Sequence, residues 1–337
     1  MLHKLSFTVS ANNSLVKSTL SRIVNNSAVF ITTLNQYQTF GTCMKFNLCC
    51  NADNKSPESM LFSAAQCDEL FAAVLVHDEL YPKAKLPNEI HLDYSQEQLA
   101  QCYRLCQQLW QFGVDRSQLS QMIEKIYLQG FLSTEDKITY HAMRAKIKHL
   151  RFAYVTFDER HRYPTMFHWM TGVMGNLQDA FKHDQRSALV CSALLVRFLL
   201  TKPFYTLITK EMDCFQPSTP ESFCHYVHDE INFIRLHLTK NVITGKEFHE
   251  MRKVISRQVA MYDNLKTLYP SSYHRSISEY LSTINGLMGS KHDELIAKKF
   301  DKSQDYYTDT FVMPEEIKQR LIDLADKYNN PIRSSLI

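Results

Sequence analysis

Glycine is scarce, with 8 residues in 337. Tight turns and phosphate-cradling loops use glycine repeatedly, so a large α/β nucleotide enzyme is not expected. The patterns GxxxxGK[ST], GxGxxG, GxSxG and HExxH are all missing. With them go the common signals for nucleotide hydrolysis, dinucleotide binding and serine or zinc hydrolysis. Long hydrophobic runs are missing too. The longest, Ala188 to Leu200, is interrupted by Arg197 and stopped by Pro203, and reads as a buried helix too short to span a bilayer. No apolar signal core follows Met1-Leu2-His3-Lys4. Nor does one charge sign dominate: 38 Lys plus Arg against 35 Asp plus Glu leaves +3. That excess is too small to imply nucleic-acid binding by itself. Nine cysteines cannot all pair internally. Free thiols in a reducing, cytoplasmic setting are expected, with no membrane partner.

What is present is helical periodicity. Residues 1–50 alternate at Leu5, Phe7, Val9 and again at Met44, Phe46, Leu48, with a helical spacing at Leu15, Val16, Leu20, Ile23 between them. This pattern predicts a small β-α-β-β piece. A polar linker follows at 51–59. Beyond it the periodicity predicts helices at 58–79, 94–112, 116–130, 134–158, 164–183, 186–201, 203–212, 218–239, 245–268, 272–298 and 314–328. Ser133 with Asp136, and Thr244 with Glu247, have capping-box spacing. Pro164 and Pro270 force breaks between long helices.

A repeat is visible. His141-Ala-Met143-Arg144 recurs as His249-Glu-Met251-Arg252, 108 residues later. The helix after each copy carries Leu177-Gln178-Asp179-Ala180-Phe181 or Ile284-Asn285-Gly286-Leu287-Met288, at an offset of 107. The expected fold is therefore mainly α: duplicated helical bundles behind a small N-terminal α+β piece. The division is 1–56 for that piece, 57–132 for a helical connecting segment, 133–300 for the duplicated domain, and 301–337 for a C-terminal helix and tail.

At about 100° per residue, His141, Arg144, Lys148 and Arg151 share an arc of about 80°. Met143, Ile147, Leu150 and Tyr154 form an adjacent apolar stripe that would pack. No acid on the same helix is spaced to pair with the basic row, so the row calls for an anion. Lys146 and His149 add charge nearby. In the second copy His249 and Arg252 persist, Ser256 and Val259 replace Lys148 and Arg151, and Arg257 lies beside them. If the copies face each other, His141, Arg144, His249 and Arg252 would line one groove. Histidine there would gain charge as pH falls.

The pattern H-x-x-R-x-K-x-K-x-L-R-F at 141–152, weakly repeated at 249–260, resembles the CHAD family, the conserved histidine α-helical domain. Ile284-Asn-Gly-Leu-Met288-Gly289-Ser-Lys-His292-Asp293 resembles that family's following helix, and the likeness covers residues of about 134–300. The resemblance implies an all-helical, two-bundle domain that binds inorganic polyphosphate in a basic groove. The positions carried over are His141, Arg144, Lys148, Arg151, His249 and Arg252, with Arg257 beside them. The triphosphate-tunnel signature ExExK, carried by that family's usual partner domain, is not found in residues 1–50.

The expected function is non-enzymatic binding of a polyanion, inorganic polyphosphate first, with no catalytic residue, metal or cofactor. A second reading is an interaction scaffold whose basic face meets an acidic protein partner. A third is a metal phosphohydrolase built on His141, His183, Asp184 and Asp229. Cys102 with Cys106, and Cys224 with His228 plus Cys214 or His225, have spacings that could serve zinc, but buried thiols are the simpler expectation.

Overall fold

Short polar side chains start the helices. Ser63 and Ser95 each close a reciprocal cap with a glutamine, Asp115 accepts from two backbone amides, and Thr244 closes one with Glu247. At Ser133 only half of the expected box forms. Its hydroxyl accepts from the Asp136 amide, while the Asp136 carboxylate turns away to Lys125 at 2.8 Å. The aspartate side chain is one methylene shorter than the glutamate that closes such a box.

The structure, a computed structural model, describes residues 61–183 and 185–328. The β-α-β-β piece expected at 1–50 lies outside them. The described chain is mainly α. Its helices are α1 (Ala64–Leu75), α2 (Gln96–Gly113), α3 (Arg116–Gln129), α4 (Thr134–Phe157), α5 (Thr165–Lys182), α6 (Arg186–Leu199), α7 (Lys202–Asp213), α8 (Pro220–Leu238), α9 (Gly245–Leu268), α10 (Ser272–Phe300) and α11 (Glu315–Lys327). Two short strands, β1 (Ile243–Thr244) and β2 (Thr310–Phe311), pair antiparallel with Ile243 opposite Phe311. No single described helix is long and apolar enough to cross a membrane.

One hydrophobic cluster runs from Phe62 to Tyr328. The 61–132 segment contributes Leu99, Tyr103 and Ile123 to it, and α11 contributes Leu321. Both segments thus share the core of residues 133–300. The apolar stripe of α4 packs as its spacing predicts, with Met143, Ile147, Leu150 and Tyr154 all buried. The two repeat helices are 24 residues each but keep different company. α4 lies chiefly along α2, whereas α9 lies along its own successor, α10.

A loop after α1 is clamped onto α10. Ser282 Oγ donates to the carbonyls of Val76 and Glu79, Asn285 Nδ2 donates to His77 O, and the Tyr81 amide donates to Thr283 Oγ1. Gly286 lets the two backbones touch, since a Cβ there would sit 2.2 Å from the Asp78 carbonyl oxygen. Neither backbone can yield without losing these bonds. Gly286→Ala is therefore expected to destabilise the fold by about 2–4 kcal/mol. Urea unfolding measures it, and a loss below about 0.5 kcal/mol would mean the loop yields freely.

Candidate anion-binding site

The basic row of α4 and the basic start of α9 converge. Arg144, Lys148 and Arg151 project from successive turns of α4, and Arg252 reaches them from α9. Lys148 feels all three guanidinium groups. Glycines on the flanking helices make room. The Arg144 guanidinium lies against Gly175 of α5, and that of Arg252 against Gly289 of α10, with Nη2 3.1 Å from where each Cβ would be. These two glycines are 114 residues apart, against the offset of 107 expected for that helix. The difference is two helical turns, which keeps the same face outward, so apolar periodicity cannot separate the two registers.

None of the four cations has an ion pair among the described residues. The Nε atoms of Arg144, Arg151 and Arg252 are inaccessible and hydrogen-bond to nothing. Asp78, Asp179 and Asp293 act on the cluster from a distance, without ion-pair contact. Recessed positive charge without partners is costly, and an anion offsets that cost.

The crowding shows in the titrating groups. Protein closes around Lys148 on most sides while leaving part of it accessible. Burial, then Arg144, Arg252 and Arg151, push its ammonium down to about 7, with Asp78 opposing. Burial with Arg144 and Arg257 lowers Arg151 to about 10, although Tyr163 opposes. His249 and His292 stack at 4.7 Å, and burial with neighbouring cations holds them at about 4 and about 3. The expectation that histidine gains charge as pH falls is thus corrected for His249, which stays neutral through the physiological range. His141 is exposed and also lowered, by burial and by Arg144 and Lys148. The group poised near neutrality is Lys148.

This poise has a consequence for stability. The unfolded chain holds the Lys148 proton up to a pH of about 10.4, the folded chain only up to about 7. Between those values the unfolded state binds more protons, so Lys148 makes stability rise with pH. Ligand-free protein should unfold at a higher urea midpoint at pH 9 than at pH 7, relative to a Lys148→Met variant. An equal pH dependence in both proteins would refute the poised lysine.

Other expected members fall outside the cluster. The Arg257 guanidinium is committed: Nε donates to Glu230 and Nη1 donates to Tyr163 OH at 2.9 Å. Lys146 points away, donating to Gly113 O at 3.0 Å and covering the Phe71 ring. His149 is buried against Asn264 and held at about 4, chiefly by burial, so it adds no charge. Cys102 and Cys106 are buried and their thiols are pushed up by burial. Among the described residues no three His, Cys, Asp or Glu side chains converge as a metal requires, and Asp184 lies outside those residues.

Sequence reasoning missed Gly175, Asp78 and Tyr163 as parts of this site. Gly175 carried no signal, because a glycine that seats a distant guanidinium looks like any helix glycine. His292 and Asp293 did carry one, as the end of the CHAD-like element. No protein-family model, curated protein or solved structure matches the chain.

Proposed function

We propose that the protein binds a polyanion, inorganic polyphosphate being the first candidate, in the basic cleft between α4 and α9. One observation carries the reading: Arg144, Lys148, Arg151 and Arg252 converge without ion-pair partners among the described residues, and three of their Nε atoms are buried and unsatisfied there. The likeness of residues 141–152 to the CHAD pattern points to the same ligand class. Guanidinium and ammonium donors fixed on rigid helices suit successive phosphoryl groups. The recess favours a thin ligand over the broad face of an acidic protein partner. The arrangement supplies fixed donors and positive charge suited to holding a phosphate chain.

Calorimetry of the full chain with sodium tripolyphosphate tests the proposal. Saturable binding is expected at low salt, weakening as salt rises and counterions compete. Binding should also take up a proton. Lys148 is surrounded by Arg144, Arg151, His141 and His149 of α4, Arg252 and His249 of α9, and His77 and Asp78 of the loop. An anion among them raises its proton affinity. Affinity should therefore fall above pH 7 by up to about tenfold per pH unit. No binding at low salt and pH 7 would refute the proposal.

A further inference from the structure

We infer that this basic row takes a short oligophosphate of about as many phosphoryl groups as it has free cations, and that further phosphoryl groups add little affinity. The inference rests on the anion-binding reading above and adds a length limit to it. From Arg144 to Arg151 the row spans about 10 Å of helix. Beyond each end the free cations run out.

At the Arg144 and Arg252 end, the two flanking helices are tied together. Lys182 of α5 and Asp293 of α10 form an ion pair at 2.6 Å. Gly175 and Gly289, which seat the two arginines, lie on those same helices. The stacked His249 and His292 beside the bridge are neutral and offer a further anion no charge. Toward the other end, Lys253 of α9 is held by Glu250 at 2.6 Å.

At the Arg151 end, Tyr163 lies across the row. Arg151 sits 5.3 Å from its ring centre, His168 stacks on it at 4.6 Å, and its hydroxyl accepts from Arg257. Arg257 would be the next donor for a continuing chain, but Glu230 already holds it. An extended chain leaving this end would meet a buried carboxylate and an aromatic wall instead of a cation.

The test is a length series on the full chain: phosphate, pyrophosphate, tripolyphosphate, tetrapolyphosphate and long-chain polyphosphate, by calorimetry. Affinity should climb about tenfold per phosphoryl group and then level off near the tetraphosphate. Affinity that keeps climbing about tenfold per phosphoryl group beyond the tetraphosphate would overturn this inference while leaving the anion site standing. Failure of every member to bind would take both readings down.

Discussion

Reversing both convergent arginines, Arg144→Glu with Arg252→Glu, is expected to abolish tripolyphosphate binding. In the proposed complex each wild-type arginine would donate to the anion from a different helix, and charge-assisted bonds of this kind are worth roughly 1.5–3 kcal/mol each. Removing two and adding two carboxylates should cost at least about a thousandfold in affinity. The ligand-free protein should lose little stability, because neither arginine has an ion pair to break among the described residues. The new carboxylates would also face Lys148 and Arg151 and relieve their repulsion. A raised urea midpoint together with lost binding is the expected pair of results. Arg104→Glu, at an exposed side chain of α2 paired with Glu97 at 3.2 Å, should leave binding within a few-fold of wild type. Equal loss in both variants would reduce the cleft to general surface electrostatics.

The largest expected effect on stability lies at Glu230. Its carboxylate is buried and accepts from Arg257, from Tyr226 OH at 3.0 Å and from Gln258 Nε2 at 3.3 Å. Burial raises its proton affinity, while Arg257 and the hydrogen bonds hold against that rise. Glu230→Ala leaves the Arg257 guanidinium buried with only Tyr163 to meet it. Removing one partner of a buried pair costs about 3–5 kcal/mol, a large part of a domain's total stability. Urea denaturation should show that loss. Glu230→Gln, which keeps an acceptor, should lose less. A loss below about 1 kcal/mol for the alanine variant would mean water replaces the carboxylate at no great cost. Either substitution also releases Arg257 beside Arg151, so surviving protein should bind tripolyphosphate at least as tightly as wild type.

The helical layout was legible in the sequence because it is written locally. Apolar spacing at three and four residues, polar caps and two Tyr-Pro breaks place α2 to α11 to within a few residues, including the 24-residue α4 and α9, whereas α1 is shorter than the 58–79 expected for it. The basic row on α4 was legible for the same reason. Its separation from the apolar stripe is a property of one helix, and the stripe packs where its spacing puts it. What spacing cannot show is which charges will be used up. Arg257 and Arg252 look alike along the chain. One meets Glu230 from α8, and the other forms no ion pair among the described residues.

The same limit explains the errors of detail. Lys146 and His149 flank the row in sequence, yet packing turns one to Gly113 and buries the other against Asn264. Histidine was expected to titrate near neutrality on its intrinsic value. Desolvation and neighbouring cations instead move His249 down to about 4 and bring Lys148 into that range. Composition, periodicity and capping chemistry thus determined that this chain is mainly α and that α4 presents a basic face beside an apolar one. The tertiary structure alone decided which cations face each other, which acids neutralise them, and where the row ends. Helix formation depends on neighbours three and four residues away, whereas charge compensation and desolvation depend on side chains brought together from 100 residues or more along the chain, such as Arg144 and Arg252.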